Sequence, residues 1–318
     1  MAGRQRTTAV IGAGPAGLLF CVVGRLLHAR AGRDPSTWAL RLYDKRDTYV
    51  RTHRLRVARE PYEALARDLA DPRFAALMRF LAGEDFRPDV NRLEAELGAL
   101  ARALGVEKER LEIGAHEGPG DGSFTLAGLR VRLAGEGLLG EETRFTIVGA
   151  DSVHSAVREL VRGDATPTGR VHQRVARLRV VGPGLPPTLG AVTQVRLSKV
   201  IGSIVDYRLN QNGFAEVDLF LEAGDHAPLE ELGASPKEPR PLEARTLSGL
   251  RAPLFRRVVA ELQRGFGAGP CEVLLASSFV LEHRVMPEVV FERPELPATV
   301  FLVGDAAMSL PYFRGMAA

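Results

Sequence analysis

Residues 7–17 read TTAVIGAGPAG, a run of β-branched and apolar residues followed at once by glycines in the pattern G-x-G-x-x-G. Such a run favours a buried β-strand, and the apolar segment Leu18–Ala29 behind it favours a helix. The segment Trp38–Tyr43 alternates like a second strand and runs into Asp44. The order strand, glycine turn, helix, strand predicts a βαβ unit.

The glycine turn has the spacing of a dinucleotide-binding turn. Gly12 permits the tight turn, Gly14 lets the backbone approach a pyrophosphate, and Gly17 lets the helix pack on the strand. The helix start then offers N–H groups and a positive dipole end to phosphate. Asp44 can bind both ribose hydroxyls, although it follows later than the usual ~20 residues because the loop Ala31–Thr37 is long. The turn alone leaves NAD and FAD both open.

The composition is that of an ordinary globular chain. Its 318 residues suggest one large or two modest domains, and 45% hydrophobic with 25% charged residues exclude a disordered or collagenous protein. Two cysteines, Cys21 and Cys271, exclude a disulfide scaffold and favour a reducing compartment. The seven histidines show no metal-ligand spacing. We therefore predict no metal and a cytoplasmic location.

Charge and hydropathy exclude two further classes of partner. The formal net charge is +3, and the arginines alternate with acids rather than cluster, so we predict no nucleic-acid partner. The apolar run Ala9–Gly24 resembles a signal peptide, but it contains glycines and a proline. It is also shorter than the ~20 residues of a spanning helix, so we predict no integral membrane segment. The oligomeric state is left open.

The remaining sequence predicts a mixture of helices and strands at both ends of the chain and mainly strands in the middle. We predict helices at Pro61–Ala82, Asn91–Leu104 and Leu254–Arg264, and a surface loop at Ala223–Pro241. We predict short strands at Glu112–Ile113, Ser123–Leu126, Leu129–Leu133, Phe145–Val148, Leu274–Leu281 and Thr299–Val303. An antiparallel sheet is predicted from Val175–Val181, Val192–Leu197, Ile201–Arg208 and Phe214–Leu221.

Two further motifs identify a family. Residues 150–158 read ADSVHSAVR, which fits D-x-x-x-S-x-x-R after an apolar strand, and residues 300–307 read VFLVGDAA, a strand followed by G-D-A-A. The order of the three motifs resembles that of the class A FAD-dependent monooxygenases, the p-hydroxybenzoate hydroxylase-like flavoproteins. The resemblance spans nearly the whole chain, with little motif support between Arg162 and Thr299.

The resemblance implies an α/β fold with a Rossmann-like FAD-binding domain and an inserted antiparallel-sheet substrate domain. We assign residues 1–60, 90–165 and 270–318 to the discontinuous FAD-binding domain, and residues 61–89 and 166–269 to the substrate domain. The implied cofactor is FAD, with NAD(P)H as co-substrate. The implied reaction is hydroxylation of a small organic molecule, aromatic or polyketide-like, by O2 through a flavin C4a-hydroperoxide in a dry pocket. No catalytic side chain is identified.

The resemblance also implies roles for individual residues. Asp305 would bind the ribityl chain, Asp151 would bridge the contacts of FAD and NAD(P)H, and Arg92, at the start of a helix, would itself reach FAD. Arg51 or Arg54 would contact the flavin. The cofactor-binding residues expected are Gly12, Gly14, Ala16, Gly17, Asp44, Lys45, Arg46, Arg51, Arg92, Asp151, Gly304, Asp305 and Pro311. Two of these have an alternative: Asp151 as a helix cap and Arg92 as a surface residue.

The chain departs from the family pattern at three positions. Ser152 replaces the usual Gly after Asp151, Met308 replaces the usual His after G-D-A-A, and Tyr312 replaces a proline. The family places a helix facing the flavin after this motif, whereas the sequence ends at Ala318, so we expect a truncated terminal motif.

Alternative functions follow from these departures. An FAD reductase of the same fold and a non-catalytic flavin-binding or regulatory homologue both stay open. A halogenase is disfavoured, because Trp38 is the single tryptophan and the W-x-W-x-I-P pattern is absent.

Overall fold

The computed structural model describes residues 6–47, 55–114, 123–139, 145–152, 154–162, 168–203, 205–210, 212–242, 252–266, 271–292, 294 and 298–309. The chain divides into two compact units, Met1–Gly169 with His283–Ala318, and Arg170–Glu282. Residues 61–89 fall within the first unit. The division into an FAD-binding and a substrate domain stays a prediction.

The elements of the first unit follow the predicted βαβ order. In chain order they are β1 (Arg6–Ile11), α1 (Pro15–Arg30), β2 (Trp38–Asp44), α2 (Arg59–Leu69), α3 (Pro72–Gly83), α4 (Val90–Ala103), β3 (Lys108–Arg110), β4 (Glu112–Ile113), β5 (Ser123–Phe124), α5 (Leu126–Gly135), β6 (Phe145–Gly149) and α6 (Ala156–Val161). Strand β7 (Thr168–Val181) leads into the second unit.

The second unit continues with helices and antiparallel strands. They are α7 (Ala191–Ile201), β8 (Val205–Leu209), β9 (Phe214–Leu221), α8 (Ala223–Glu230), β10 (Arg240–Pro241) and α9 (Ala252–Gly265). Strand β11 (Glu272–Val285) leads back to the first unit, which ends with β12 (Val290–Phe291), β13 (Ala298–Leu302) and β14 (Met308–Ser309).

The first unit is built on a sheet with strand order β12-β13-β6-β1-β2-β3. All neighbours from β13 to β3 are parallel, and β12 is antiparallel to β13. Val10 of β1 lies in register with Leu42 of β2 and Val148 of β6. Strand β1 is therefore interior, and the order from β3 through β13 is that of a doubly wound nucleotide-binding fold.

Alternate residues of β1 enter separate cores on the two faces of this sheet. Val10 belongs to a cluster with residues of α1 and α4, whereas Ala9 and Ile11 belong to a cluster with Leu129 of α5 and Val157 of α6. This division follows from the two-residue period of a strand. Both faces of the sheet are thus covered by helices, as a parallel sheet requires.

The second unit contains an antiparallel sheet with strand order β10-β11-β7-β9-β8. The pairing of β7 with β9 runs from Arg174 opposite Leu221 to Val181 opposite Phe214. Helices α7 and α9 contribute Leu197, Phe255, Val258 and Leu262 to one core with the sheet residues. The predicted combination of a parallel and an antiparallel sheet is confirmed.

The predicted strand Leu129–Leu133 is wrong, because this segment lies in helix α5. The Thr125 side chain accepts a hydrogen bond from the Gly128 N–H at 3.0 Å and caps the helix. Leu129 and Leu133 are fully buried, whereas Val131 is 72% exposed. The two buried leucines are therefore four residues apart, as on one face of a helix. The exposed Val131 between them made the apolar residues alternate as in a strand.

The predicted strand Val192–Leu197 is also wrong and belongs to helix α7. Gly202 ends this helix with φ +68°, a conformation that glycine adopts without a steric penalty. Only Leu197 of the segment is buried, while Val192 and Val195 are exposed. Because α7 extends to Ile201, the next strand, β8, begins at Val205 rather than at Ile201.

Two other boundaries differ from the expected ones. The predicted helix Pro61–Ala82 is divided into α2 and α3, because Ala70 adopts φ +48° and the Asp71 side chain accepts a hydrogen bond from the Arg73 N–H at 2.8 Å. The predicted loop Ala223–Pro241 contains helix α8 and strand β10.

Among the described residues, no helix combines the length and hydropathy needed to cross a bilayer.

The helical face of α5 gives a stability prediction. We expect Leu129→Ala to lower the free energy of unfolding by about 2–5 kcal/mol, because it leaves a cavity in a buried core. Val131→Ala, on the exposed face, is expected to change it by less than about 0.5 kcal/mol. Urea denaturation followed by circular dichroism measures both variants. Equal losses in the two variants would contradict the helical assignment.

Candidate functional site

A cavity of about 690 Å³ lies in the first unit at the carboxyl ends of its parallel strands. Its lining includes Gly12 and Gly14 after β1, Asp44 at the end of β2, Asp151 after β6 and Gly304 after β13. This volume lies within the range of roughly 300–1,000 Å³ for small-molecule and cofactor sites. The position is where doubly wound sheets bind their ligands.

Backbone hydrogen bonds bring the three sequence motifs together. The Gly12 N–H donates to the Tyr43 carbonyl at 2.7 Å, and the Ala150 N–H donates to the Ile11 carbonyl at 2.7 Å. The Val303 N–H donates to the Gly149 carbonyl at 2.9 Å. The turns beginning at residues 12, 150 and 303 are therefore held side by side by main-chain bonds.

Close approaches explain the glycines at these turns. Gly12 has φ +105°, and a Cβ there would lie 2.4 Å from the Ala150 carbonyl oxygen. A Cβ at Gly17 would lie 2.0 Å from the Gly12 oxygen, and one at Gly304 would lie 2.8 Å from the Ala16 Cβ. At Gly14 the nearest atom is Glu94 Oε1 at 3.7 Å. The Gly14 backbone thus borders open space at the start of α1, which fits a pyrophosphate.

The buried carboxylate of Asp44 is fixed at the end of β2. One oxygen accepts from the Ala13 N–H at 2.7 Å and the other from the Arg46 N–H at 2.8 Å. Each carboxylate oxygen can accept another hydrogen bond, so Asp44 keeps capacity for a ribose hydroxyl. Lys45 and Arg46 also line the cavity, and Lys45 Nζ lies 3.6 Å from Glu112 Oε1.

Asp151 caps helix α6 and lines the cavity as well. Its carboxylate accepts hydrogen bonds from the Ser155 hydroxyl, from the Ala156 N–H at 2.7 Å and from the Val157 N–H at 3.2 Å. Burial raises the pKa of Asp151, while the hydrogen bonds from Ser155 and from these two amides act in the opposite direction. Asp151 thus interacts with the start of α6, as its alternative reading expects, but the helix begins at Ala156 with Ser155 as its N-cap residue rather than near Ser152. The cofactor role of Asp151 stays a prediction.

Arg158, the last residue of the D-x-x-x-S-x-x-R motif, connects two motifs in space. Its side chain is 2% exposed, and its Nη1 donates to the Ala306 carbonyl at 3.4 Å. Its backbone N–H donates to the Ser155 hydroxyl at 3.0 Å. Arg158 thereby holds the G-D-A-A turn against α6. No role was predicted for Arg158 from the sequence, although its place in the motif was a usable signal.

Other predicted site residues fall into three groups. Ala16, Gly304, Asp305 and Met308 line the cavity. Arg92 is not in the lining; its Nη1 lies 2.5 Å from Glu84 Oε1 and its guanidinium lies 5.5 Å from the centre of the Phe80 ring. Residues Arg51, Arg54, Pro311 and Tyr312 lie outside the described residues. The FAD contacts of all these residues stay predictions.

The cavity is also lined by residues that were not predicted from the sequence. They are mostly apolar side chains from α1, α2 and α4, including Leu19, Phe20, Val23, Tyr62, Leu65 and Val90, together with the acid Glu94. Glu94 follows Val90 by four residues and is buried, so it is an acid on the apolar face of α4. That pattern was a signal in the sequence. No group of three potential metal ligands occurs among the residues that the structure describes.

Comparisons with known proteins identify the fold. No family model matches the chain, and neither does any curated protein. Solved structures similar to it include aklavinone-11 hydroxylase in a ternary complex with FAD and aklavinone, with 15% identity, a TM-score of 0.52, and coverage of 100% of this chain and 60% of that one. A flavin-dependent halogenase is 13% identical with a TM-score of 0.52, and the match covers 98% of this chain and 55% of that one. A Diels-Alderase from the pyrroindomycin pathway is 17% identical with a TM-score of 0.51, and the match covers 97% of this chain and 61% of that one. The chain thus spans less than two thirds of each of these structures.

The backbone at Ser152 gives a testable prediction. Ser152 adopts φ +87°, which a residue with a Cβ rarely does, at the position where the resemblance has glycine. We expect Ser152→Gly to raise the free energy of unfolding by about 0.5–1 kcal/mol, since relief of strain exceeds the added chain entropy. The control Ser198→Gly, inside helix α7, should lower it by about 0.5 kcal/mol. A decrease in the Ser152→Gly variant, measured by thermal unfolding, would disprove the strain.

Proposed function

We propose that this chain, which has the fold of the class A flavin-dependent monooxygenases, binds FAD in the cavity of its first unit and acts as an FAD-dependent oxidoreductase. The observation that carries the proposal is the meeting of three distant turns around one cavity, with Asp44, Asp151 and Asp305 in its lining. An extended dinucleotide has separate ribose, pyrophosphate and ribityl groups. Asp44 is suited to the ribose, the turn at Gly12 to the pyrophosphate and the turn at Gly304 to the ribityl chain.

The residues of the cavity support a definite orientation of FAD. The Gly14 backbone and the N-terminus of α1 would bind the pyrophosphate, and Asp44 would accept hydrogen bonds from the adenosine ribose. Lys45 and Arg46 would lie beside the adenosine, and Asp305 would bind the ribityl chain. Arg51, Arg92, Asp151 and Pro311 remain in the proposed set of contacts.

The proposed reaction is hydroxylation of a small organic molecule, aromatic or polyketide-like, with NAD(P)H as reductant and O2 as oxidant. Bound FAD supplies the two-electron transfer and the activation of oxygen. The chain contributes binding, orientation and exclusion of water, for which the apolar lining from α1, α2 and α4 is suited. The aklavinone hydroxylase, crystallised with FAD and aklavinone, supports this substrate class. A cytoplasmic location and the absence of a nucleic-acid partner stay predictions.

A second candidate function is flavin-binding or ligand-binding activity without hydroxylation. Met308 lines the cavity where the resemblance has histidine, and its side chain is 45% exposed. One of the similar structures is a Diels-Alderase, so this fold also serves reactions other than oxygenation. An FAD reductase of the same fold is the third candidate.

The binding of FAD is tested by the visible absorption spectrum of the purified protein, before and after FAD is added. We expect flavin bands and saturable binding. Asp305→Ala should weaken FAD binding by about 10–100-fold, since a hydrogen bond to a charged group contributes roughly 1.5–3 kcal/mol. The control Asp206→Ala removes an acid of the second unit that is 50% exposed, and should bind FAD like the parent chain. A spectrum without flavin bands in the presence of FAD contradicts the proposal.

The reaction class is tested by oxidation of NADH or NADPH in air with candidate substrates. A monooxygenase consumes O2 and places one atom from 18O2 in the product. A reductase converts its substrate without O2, and a non-catalytic homologue binds FAD but oxidises neither nucleotide at a substrate-dependent rate. The three results separate the three candidate functions.

A further inference from the structure

Glu94 places a buried carboxyl group beside the backbone on which the pyrophosphate is expected to lie. It belongs to α4, which packs against α1, and only 9% of the residue is exposed. A Cβ built on Gly14 would lie 3.7 Å from Glu94 Oε1, and both residues line the same cavity. The Glu94 carboxyl group is therefore a neighbour of the N-terminus of α1.

The helix shows that this burial is specific to Glu94. Val90, Leu93 and Leu97 surround it on the buried face of α4, whereas Glu96 lies on the exposed face. Removing a carboxylate from water carries a free-energy cost. Glu94 and Glu96 therefore place two carboxyl groups two residues apart on one helix, one facing the cavity and one facing solvent.

The position of Glu94 affects the electrostatic attraction of the cavity for phosphate. A pyrophosphate brings two negative charges to the start of α1, where the helix dipole attracts them. In its ionised form the Glu94 carboxyl group repels the same charges, and in a partly desolvated site this repulsion is stronger than in water. The nearest arginine on α4, Arg92, has its guanidinium against Glu84 at 2.5 Å. The other charged or titratable groups in the lining are Asp44, Lys45, Arg46, Tyr62, Glu112, Asp151, His154 and Asp305.

We propose that Glu94 is a specificity-determining residue that lowers the affinity of the cavity for ligands in proportion to their phosphate charge. It opposes the helix dipole at the pyrophosphate position and so weakens the binding of the dinucleotide. The effect acts on the phosphates and leaves the adenosine position unchanged. This inference rests on the proposed function, because it assumes that the cavity binds a dinucleotide.

The test compares Glu94→Gln with Glu96→Gln in the full chain. Both substitutions remove one carboxylate from α4 with little change in shape. Isothermal titration at neutral pH with FAD, ADP and adenosine measures the three affinities. We expect Glu94→Gln to bind FAD and ADP at least tenfold more tightly, which corresponds to about 1.4 kcal/mol, and to bind adenosine unchanged. Glu96→Gln should bind all three ligands like the parent chain. Because adenosine lacks phosphate, a general effect on packing would change its affinity too.

Several outcomes would overturn the inference. Unchanged or weaker binding of FAD and ADP by Glu94→Gln would show that the carboxyl group does not oppose phosphate. An equal gain for adenosine would show that the effect is not electrostatic. If Glu94→Gln does not fold, Glu94→Met removes the same charge at similar volume and is judged by the same criteria. Failure of the parent chain and of both variants to bind FAD or ADP would instead refute the proposed function, which separates the two failures.

Discussion

The close passage of Gly12 over the end of β6 is the constraint on which the rest of the first unit depends. A Cβ at Gly12 would lie 2.4 Å from the Ala150 oxygen, and φ is +105° there, so a side chain would force the turn away from the sheet. The turn in this position directs α1 so that Gly14 borders the cavity. It also brings the Ala13 N–H within 2.7 Å of the Asp44 carboxylate. This one steric condition therefore determines the positions of the N-terminus of α1, of the Asp44 carboxylate and of the cavity.

A second layer of interactions positions the two remaining turns. Asp151 stabilises the start of α6 through the Ser155 hydroxyl and two backbone amides, and Arg158 reaches from that helix to the Ala306 carbonyl. The D-x-x-x-S-x-x-R and G-D-A-A motifs are thus connected by hydrogen bonds of the chain itself. The same motif thus both stabilises the start of a helix and lines the cavity. The positive φ of Ser152 lies within this same connection.

Acidic side chains outnumber basic ones in the lining of the cavity. The lining carries the acids Asp44, Glu94, Glu112, Asp151 and Asp305, against the bases Lys45 and Arg46. Two of these acids, Asp44 and Asp151, already accept backbone hydrogen bonds that hold the turns in place. Under the proposed function, the attraction for phosphate would come mainly from the N-terminus of α1, because backbone N–H groups and the dipole supply positive potential without a basic side chain. Because the lining has few basic side chains, an acid as close to the start of α1 as Glu94 has a large effect on the electrostatic potential there.

The sequence alone determined the βαβ unit, the parallel and antiparallel sheets, and the three turns, because glycine spacing and strand–turn order are local and have strict steric causes. Only the tertiary structure decided that Leu129–Leu133 and Val192–Leu197 are helical, since their apolar residues fit either period until a core selects which of them are buried. It also decided that Glu94, rather than the predicted Arg92, lines the cavity. The direction of a side chain on α4 depends on how the helix is rotated against α1, and that rotation arises from packing between segments that are remote in sequence.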